Sequence, residues 1–154
     1  DELTATPLWK NGDNSMNFNT PVLKDGLLYG ISATNALFCV NAVSGQTAWN
    51  TPLSSQTGGQ PASPPAAPPA GKGGKGGRGG GGGTAGYASV VDAGPVLFAL
   101  TPAAQLVIFE PSATEFKQIA TYKVADSGTY AYPVISDTRI YIKDKDSLTL
   151  WTIE

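Results

Sequence analysis

The acidic side chains at positions 144 and 146 are the best candidates in this sequence for holding a cation. Asp144 and Asp146 flank Lys145 between two predicted strands, and their carboxylates carry the oxygen atoms that calcium prefers. A calcium loop needs several more oxygen ligands and a glycine turn at set spacing, which the neighbouring residues do not supply. We therefore interpret this tripeptide as a solvated hairpin tip.

A polar loop before the first predicted strand is the best candidate for holding a polar ligand. It contains Asn11, Asp13, Asn14 and Asn17. Short amide and carboxylate side chains also hydrogen-bond their own backbone two residues on, which stabilises turns. We interpret the loop as a turn whose polar groups are satisfied internally.

Aromatic and sulfur side chains offer two further kinds of chemistry. Tyr87, Tyr130 and Tyr132 could stack on sugar rings, but they lie on or just before predicted strands, where packing between sheets explains them better. Cys39 is the only cysteine, so no intrachain disulfide forms, and its apolar neighbours predict a buried, unreactive thiol. The chain has no histidine, the commonest metal ligand and general base. We assign no catalytic, cofactor-binding or metal-binding residue.

A glycine-rich tract carries regularly spaced positive charges. Lys72, Lys75 and Arg78 are each followed by at least two glycines, within residues 54–86, which contain almost no large apolar side chain. Such a segment cannot build a core, so we predict a disordered Pro/Gly-rich insertion that acts as a linker. Three charges in a chain of net charge −2 would bind phosphates weakly, so we expect no nucleic-acid partner. No run of about 18 apolar residues predicts a transmembrane segment.

A repeat organises the rest of the chain. The pattern from Pro21 to Tyr29 returns from Pro133 to Tyr141, with the proline, an aspartate and the tyrosine at unchanged spacing. A degenerate copy, one residue longer, lies between these two at residues 89–98, so that it is the second of three in chain order. A period of a few tens of residues is typical of stacked supersecondary units.

Each copy is predicted to consist of short strands separated by turn residues, and no segment has the apolar spacing of a long helix. Residues 6–10 around Trp9 resemble the last strand of the first copy, around Trp49, and so predict a fourth strand that lacks its own first three. The predicted strands are 21–23, 27–31, 36–40 and 47–53 in the first copy, 87–91, 96–100, 106–110 and 115–124 in the second, and 131–136, 139–143 and 148–153 in the third.

Four-stranded antiparallel sheets repeated along a chain are typical of β-propeller blades. We therefore predict an all-β fold, a partial β-propeller of four-stranded antiparallel blades. Its parts are an orphan fourth strand (1–10), a full blade (19–53), the insertion (54–86), a second full blade (87–124) and a three-stranded last blade (130–154).

Three blades are fewer than the usual range of roughly four to eight. The chain begins at Asp1 in mid-pattern with no visible signal peptide, so we expect the C-terminal part of a larger propeller, or one that closes by associating with another chain. An open arc is expected to be marginally stable and to associate through its first and last blades.

Residues 41–49 carry a motif that resembles the tryptophan-docking motif of the pyrroloquinoline-quinone-like, quinoprotein-type β-propeller family. The family pattern is roughly Asp-Ala-x-Thr-Gly-x-x-x-Trp, preceded by a Leu-aromatic-x-Leu strand, which residues 37–40 supply here. Gly45 and Trp49 match this pattern, while Asn41 and Ser44 stand where the family usually has aspartate and threonine. The upstream element that begins at a proline and ends at a tyrosine is also typical of the family. In this resemblance the glycine allows a tight turn, and the tryptophan packs against the neighbouring blade. The match is good in the first copy, partial in the third and weak in the second, which lacks the tryptophan.

The resemblance implies one of two kinds of function. Some members are quinone-dependent dehydrogenases, which carry a catalytic aspartate, calcium ligands and, in many, an adjacent cysteine pair. Others bind no cofactor and act as scaffolds, such as the lipoprotein of the outer-membrane β-barrel assembly machinery. We expect a non-enzymatic scaffold segment without a cofactor, periplasmic or extracellular, whose partners are upstream blades or another chain. The alternative is a segment of an oxidoreductase that binds pyrroloquinoline quinone with calcium and has its catalytic residues upstream. A third possibility is a propeller fused to another domain, with the glycine-rich tract as an adhesive loop.

Overall fold

The computed structural model describes residues 3–53 and 87–153, and the insertion predicted at 54–86 lies outside them. None of the described residues lies in an α-helix. The predicted strands of the three copies are confirmed, two of them at the predicted bounds and the others within a few residues. The strands are β1 (Val22–Lys24), β2 (Leu27–Ile31), β3 (Ala36–Asn41), β4 (Thr47–Pro52), β5 (Ser89–Asp92), β6 (Leu97–Leu100), β7 (Gln105–Glu110), β8 (Lys117–Lys123), β9 (Val134–Ser136), β10 (Arg139–Lys143) and β11 (Leu148–Thr152).

The strands form three antiparallel sheets, each made of consecutive strands in chain order. They are sheet A (β1–β4), sheet B (β5–β8) and sheet C (β9–β11). The predicted all-β class is confirmed at this level. Within the described ranges, β11 pairs only with β10, and no helix is long and apolar enough to cross a membrane.

The repeated aspartate explains the first hairpin of sheets A and C. Asp25 and Gly26 join β1 to β2, and their φ angles are 51° and 76°. Tight hairpin turns favour left-handed conformations at their central residues, and Asp-Gly adopts them readily. Asp137 takes the corresponding place between β9 and β10, with φ 53°. The repeat therefore preserves a turn.

The larger core lies between sheets A and B. Alternate residues of a strand share one face, so the facing layers are Tyr29, Leu37 and Cys39 from sheet A and Leu97 and Phe109 from sheet B, all fully buried. Each large apolar side chain buried here contributes about 1.5–3 kcal/mol. Burial also raises the pKa of the Cys39 thiol, which favours its unreactive protonated form. The prediction of a buried Cys39 is confirmed.

A second core joins sheet B to sheet C. Phe98, Leu100 and Ile108, on the other face of sheet B, pack against Ile140 and Ile142 of β10. Sheet B is thus covered on both faces, which explains why β6 and β7 are apolar almost throughout.

The chain that precedes β1 lies on the face of sheet A that is turned away from sheet B. Residues 6–10 were predicted to be a strand, and this prediction is wrong for the described structure, where they are in no strand. A strand needs a hydrogen-bonded neighbour, and the described residues provide none beside them. Further on, Met16 reaches Gly30 of β2, where an added Cβ would lie 2.8 Å from its Sδ and 2.7 Å from Cζ of Phe38.

Candidate functional site

Trp49 on β4 joins sheet A to sheet B. Its Nε1 donates a hydrogen bond of 2.8 Å to the carbonyl oxygen of Ser112, in the loop between β7 and β8. The centroid of its ring lies 5.9 Å from that of Phe116 and 6.0 Å from that of Tyr29, and the side chain is 9% exposed. The prediction that Trp49 is buried between its own sheet and the next is confirmed.

Trp9 contacts sheet A in the same way. Its Nε1 donates a hydrogen bond of 3.0 Å to the carbonyl oxygen of Ala42, in the turn between β3 and β4. The indole lies against Gly45 of that turn, where an added Cβ would be 2.5 Å from Trp9 Cδ2. Gly45 also has a φ of 72°, in the region that favours glycine. Both the turn and the close approach of the indole therefore require this glycine.

We call an indole Nε1 bonded to a turn carbonyl of the following sheet a tryptophan–turn contact. Ala42 and Ser112, the two acceptors, both lie in the loop after the third strand of their sheet. Trp9 therefore has the same relation to sheet A as Trp49 has to sheet B, although Trp9 lies outside any strand. The motif at 41–49 predicted the part that Trp49 plays, and the likeness of residues 6–10 to the strand around Trp49 was the signal for the second contact.

The prolines and tyrosines of the repeat take corresponding positions in different surroundings. Pro21 is half-buried and Pro133 buried, each directly before the first strand of its sheet, where a missing N–H costs little. Tyr29 is fully buried, its hydroxyl donates to the Ser112 carbonyl at 3.3 Å, and burial raises its pKa far above the ordinary value. Tyr141, its counterpart in sheet C, is only half-buried.

An ion pair that the sequence did not reveal also connects sheets A and B. Lys24 Nζ lies 2.9 and 3.0 Å from the two carboxylate oxygens of Asp92. The hydrogen bond from Lys24 lowers the pKa of Asp92. Both residues end the first strand of a sheet and border a turn, and no spacing along the chain signals that they meet.

The polar loop before β1 is a satisfied turn, as predicted. Asn11 Oδ1 accepts hydrogen bonds from the backbone N–H of Asp13 and Asn14 at 3.1 and 3.2 Å. The side-chain amides point into sheet A: Asn14 Nδ2 donates to Thr47 Oγ1 at 2.7 Å, and Asn11 Nδ2 donates to the Gly45 carbonyl at 2.8 Å. These groups fasten the loop to the turn that also receives Trp9.

The candidate cation site stabilises its own hairpin. Asp144 Oδ1 accepts hydrogen bonds from the backbone N–H of Asp146 and Ser147 and from the Ser147 hydroxyl, and these bonds lower the pKa of Asp144. Asp144 is buried while Asp146 is exposed, so the prediction of a solvated tip is right for Asp146 and wrong for Asp144. Within residues 3–53 and 87–153, no three His, Cys, Asp or Glu side chains are grouped to hold a metal ion.

The three tyrosines lie at the rim of the sheets, and the prediction that they pack between sheets is wrong. Tyr87, Tyr130 and Tyr132 are 43%, 48% and 41% exposed, because they precede β5 and β9 rather than lying on them. The Tyr87 ring stacks on Phe18 at 5.5 Å and meets the Tyr130 ring edge-on at 5.7 Å. The Tyr132 hydroxyl accepts a hydrogen bond from the backbone N–H of Thr20. These rings therefore connect the three segments that lead into β1, β5 and β9, the first strands of sheets A, B and C.

Comparison with known proteins adds no family assignment. No protein-family model matches this sequence, and no curated protein sequence matches it either. The resemblance of residues 41–49 to the tryptophan-docking motif therefore stays a prediction. The contacts between the sheets carry the functional argument.

Proposed function

We propose that this chain is a non-enzymatic binding or scaffold segment of a pyrroloquinoline-quinone-like β-propeller protein. The observation that carries the proposal is the tryptophan–turn contact, which recurs on two successive sheets through the same indole atom. A recurring contact supports a stack of equivalent units, because each unit then meets the next in the same way. On this proposal the three sheets are blades, and further blades or another chain are their partners.

The polar side chains that could do chemistry support a scaffold. Asp144 holds a hairpin turn, and Asn11 and Asn14 hold the loop before β1. Lys24 and Asp92 neutralise one another between sheets. A catalytic group needs a free proton, lone pair or ligand position, whereas these groups form hydrogen bonds within the structure. The periplasmic or extracellular location follows from the same family resemblance.

A cofactor titration tests this proposal against the quinone-dependent oxidoreductase. The full-length protein is titrated with pyrroloquinoline quinone and calcium, because the alternative places the catalytic residues upstream of this chain. Visible absorption and dye reduction with alcohol or sugar substrates are measured. A scaffold leaves the absorption of the free quinone unchanged and reduces no dye beyond a control with calcium alone. A bound-quinone spectrum together with dye reduction would overturn the proposal.

A further inference from the structure

Three aromatic rings form an exposed surface where the chain enters sheets A, B and C. Phe18, Tyr87 and Tyr130 precede β1, β5 and β9, and all three are exposed. The rings of Phe18 and Tyr87 are nearly parallel, with an interplanar angle of 7° and centroids 5.5 Å apart. The Tyr130 ring meets that of Tyr87 at 86°, with centroids 5.7 Å apart. We call these three rings the aromatic rim, and its perpendicular planes form the walls of an open corner.

The backbone holds Phe18 at this surface against its own preference. Its φ is 55°, and a positive φ at a bulky residue is an outlier. Such strain persists only where the surrounding structure imposes it, and it is common at binding sites. Here Asn19 Nδ2 donates a hydrogen bond of 2.6 Å to the Ala88 carbonyl, which ties the segments of Phe18 and Tyr87 together. The strain leaves the Phe18 side chain 85% exposed instead of burying it, as expected for a ring that receives a ligand.

The two tyrosines of the aromatic rim keep their hydrogen-bonding capacity. Within residues 3–53 and 87–153, neither the Tyr87 hydroxyl nor the Tyr130 hydroxyl forms a hydrogen bond. Tyr132 differs, since its hydroxyl accepts the backbone N–H of Thr20 at 2.6 Å. The aromatic rim therefore combines apolar ring faces with phenolic O–H donors that are open to a ligand.

Proline-rich peptides are the ligand class that fits this chemistry. They bind aromatic-lined grooves as polyproline II, a conformation without internal hydrogen bonds, so their carbonyl groups accept donors from the groove. One turn of polyproline II is three residues long, about 9 Å, and places prolines at positions i and i+3 on one face. The two ring separations of the aromatic rim, 5.5 and 5.7 Å, together are comparable to one such turn. The three rings carry no charge, which favours an uncharged segment.

The sequence of this chain contains such a segment. Residues 61–69 hold five prolines, include Pro-x-x-Pro at 61–64 and again at 65–68, and carry no charged side chain. Residues 70–86 connect this segment to Tyr87, which is itself part of the aromatic rim. A glycine-rich chain of that length has an end-to-end distance of about 20–25 Å, which is sufficient for the segment to reach the rim. A short tether also gives an effective concentration in the millimolar range.

We propose that the aromatic rim is a binding site for proline-rich sequence and that residues 61–69 of the same chain occupy it. Prolines three residues apart pack on the rings, and the hydroxyls of Tyr87 and Tyr130 donate to backbone carbonyls of the segment. The site is separate from the tryptophan–turn contacts on which the proposed function depends. Neither proposal therefore rests on the other.

Nuclear magnetic resonance of the whole chain tests the site. In the wild type, ring currents should shift proline protons of residues 61–69 upfield from their positions in a free peptide of residues 60–70. Tyr87→Ser is expected to remove this shift. Tyr122→Ser is the matched control, because Tyr122 is 54% exposed on β8 and lies outside the aromatic rim, and it should leave the shift unchanged. Circular dichroism checks that both variants keep their sheets.

A peptide titration tests the occupant without changing the aromatic rim. A variant with alanine in place of all five prolines of residues 61–69 is titrated with the synthetic peptide of residues 60–70. This variant should bind the peptide, with the proline protons of the peptide shifted upfield. The wild type should bind the peptide several-fold more weakly, because its own tethered segment competes for the same rings.

Proline protons at free-peptide positions in the wild type, or a shift that survives Tyr87→Ser, would overturn the inference. Failure of the alanine variant to bind the peptide would overturn it as well. Equal affinity of the wild type and the alanine variant would show that the segment does not occupy the rim within one chain, and so would overturn residues 61–69 as the occupant. These readouts report proline contacts, whereas the cofactor titration reports redox chemistry, so each proposal can fail while the other stands.

Discussion

Replacing Trp49 with alanine is expected to destabilise the fold by about 3–5 kcal/mol, the range for large-to-small changes in cores. A buried indole removes roughly 150–250 Å² from water, which at about 25 cal/mol/Å² corresponds to ~4–6 kcal/mol. Partial collapse of Tyr29 and Phe116 into the space reduces this value. Trp49→Phe keeps most of the apolar contact and loses the hydrogen bond to Ser112, so it should cost about 1 kcal/mol. The Tyr29 hydroxyl still donates to that carbonyl.

Urea unfolding followed by circular dichroism, at concentrations low enough to avoid association, gives the free energy of unfolding of each variant. Ile119→Ala is the control, since this side chain is 54% exposed on β8 and should change stability by less than about 0.5 kcal/mol. The reasoning is refuted if Trp49→Ala costs no more than this control. The indole would then contribute nothing to the contact between sheets A and B.

Three further predictions concern turns and charges. Gly45→Ala adds left-handed backbone strain of about 1–2 kcal/mol and also displaces the Trp9 ring. In urea unfolding it should therefore lower the free energy of unfolding more than Gly26→Ala, whose φ is similar but whose surroundings are open. Equal losses would refute the contact between Trp9 and Gly45. The lowered pKa of Asp92 predicts that the wild type is more stable than Asp92→Asn at neutral pH. This difference in stability should decline as the pH falls through the folded-state pKa of Asp92, below about 4. A difference that does not change between about pH 2 and 7 would contradict the ion pair. Asp144→Ala should lower the melting temperature more than Asp146→Ala, because Asp144 accepts hydrogen bonds from its own turn while Asp146 is exposed. Equal melting temperatures of the two variants would contradict the conclusion that Asp144 stabilises the turn.

The strands and the Trp49 contact were predictable because their signals are local. Alternating or continuous apolar residues between turn residues mark a strand whatever lies around it. The Asp-Gly pair at Asp25 favours one turn geometry, so β1 and β2 follow from it. Gly45 and Trp49 sit at a spacing typical of the docking motif, and the buried indole follows from its apolar character.

Most of the wrong or missing predictions depend on neighbours that are distant along the chain, and one depends on where a strand begins. Thr6 to Lys10 resemble a strand in composition, but a strand exists only where another strand offers hydrogen bonds. Lys24 and Asp92 meet only because sheets A and B stack face to face. Tyr87 ends at the rim rather than in a core because β5 starts two residues later than predicted, at Ser89. The local pattern of apolar and turn residues determines whether a segment forms a strand. Which residues a side chain contacts, and how exposed it is, depend on how the sheets stack.

The tryptophan–turn contact uses the same pair of groups, an indole N–H and a turn carbonyl, on sheets A and B. An indole that packs against a sheet needs an acceptor for its N–H. The turn carbonyl after a third strand provides one for the buried Trp49 and for Trp9, which is 37% exposed. In both cases the contact pairs polar groups within the described structure, while Leu148 and Leu150 of sheet C remain 68% and 50% exposed. Exposed apolar side chains of this kind are stabilised when another surface covers them and removes them from water.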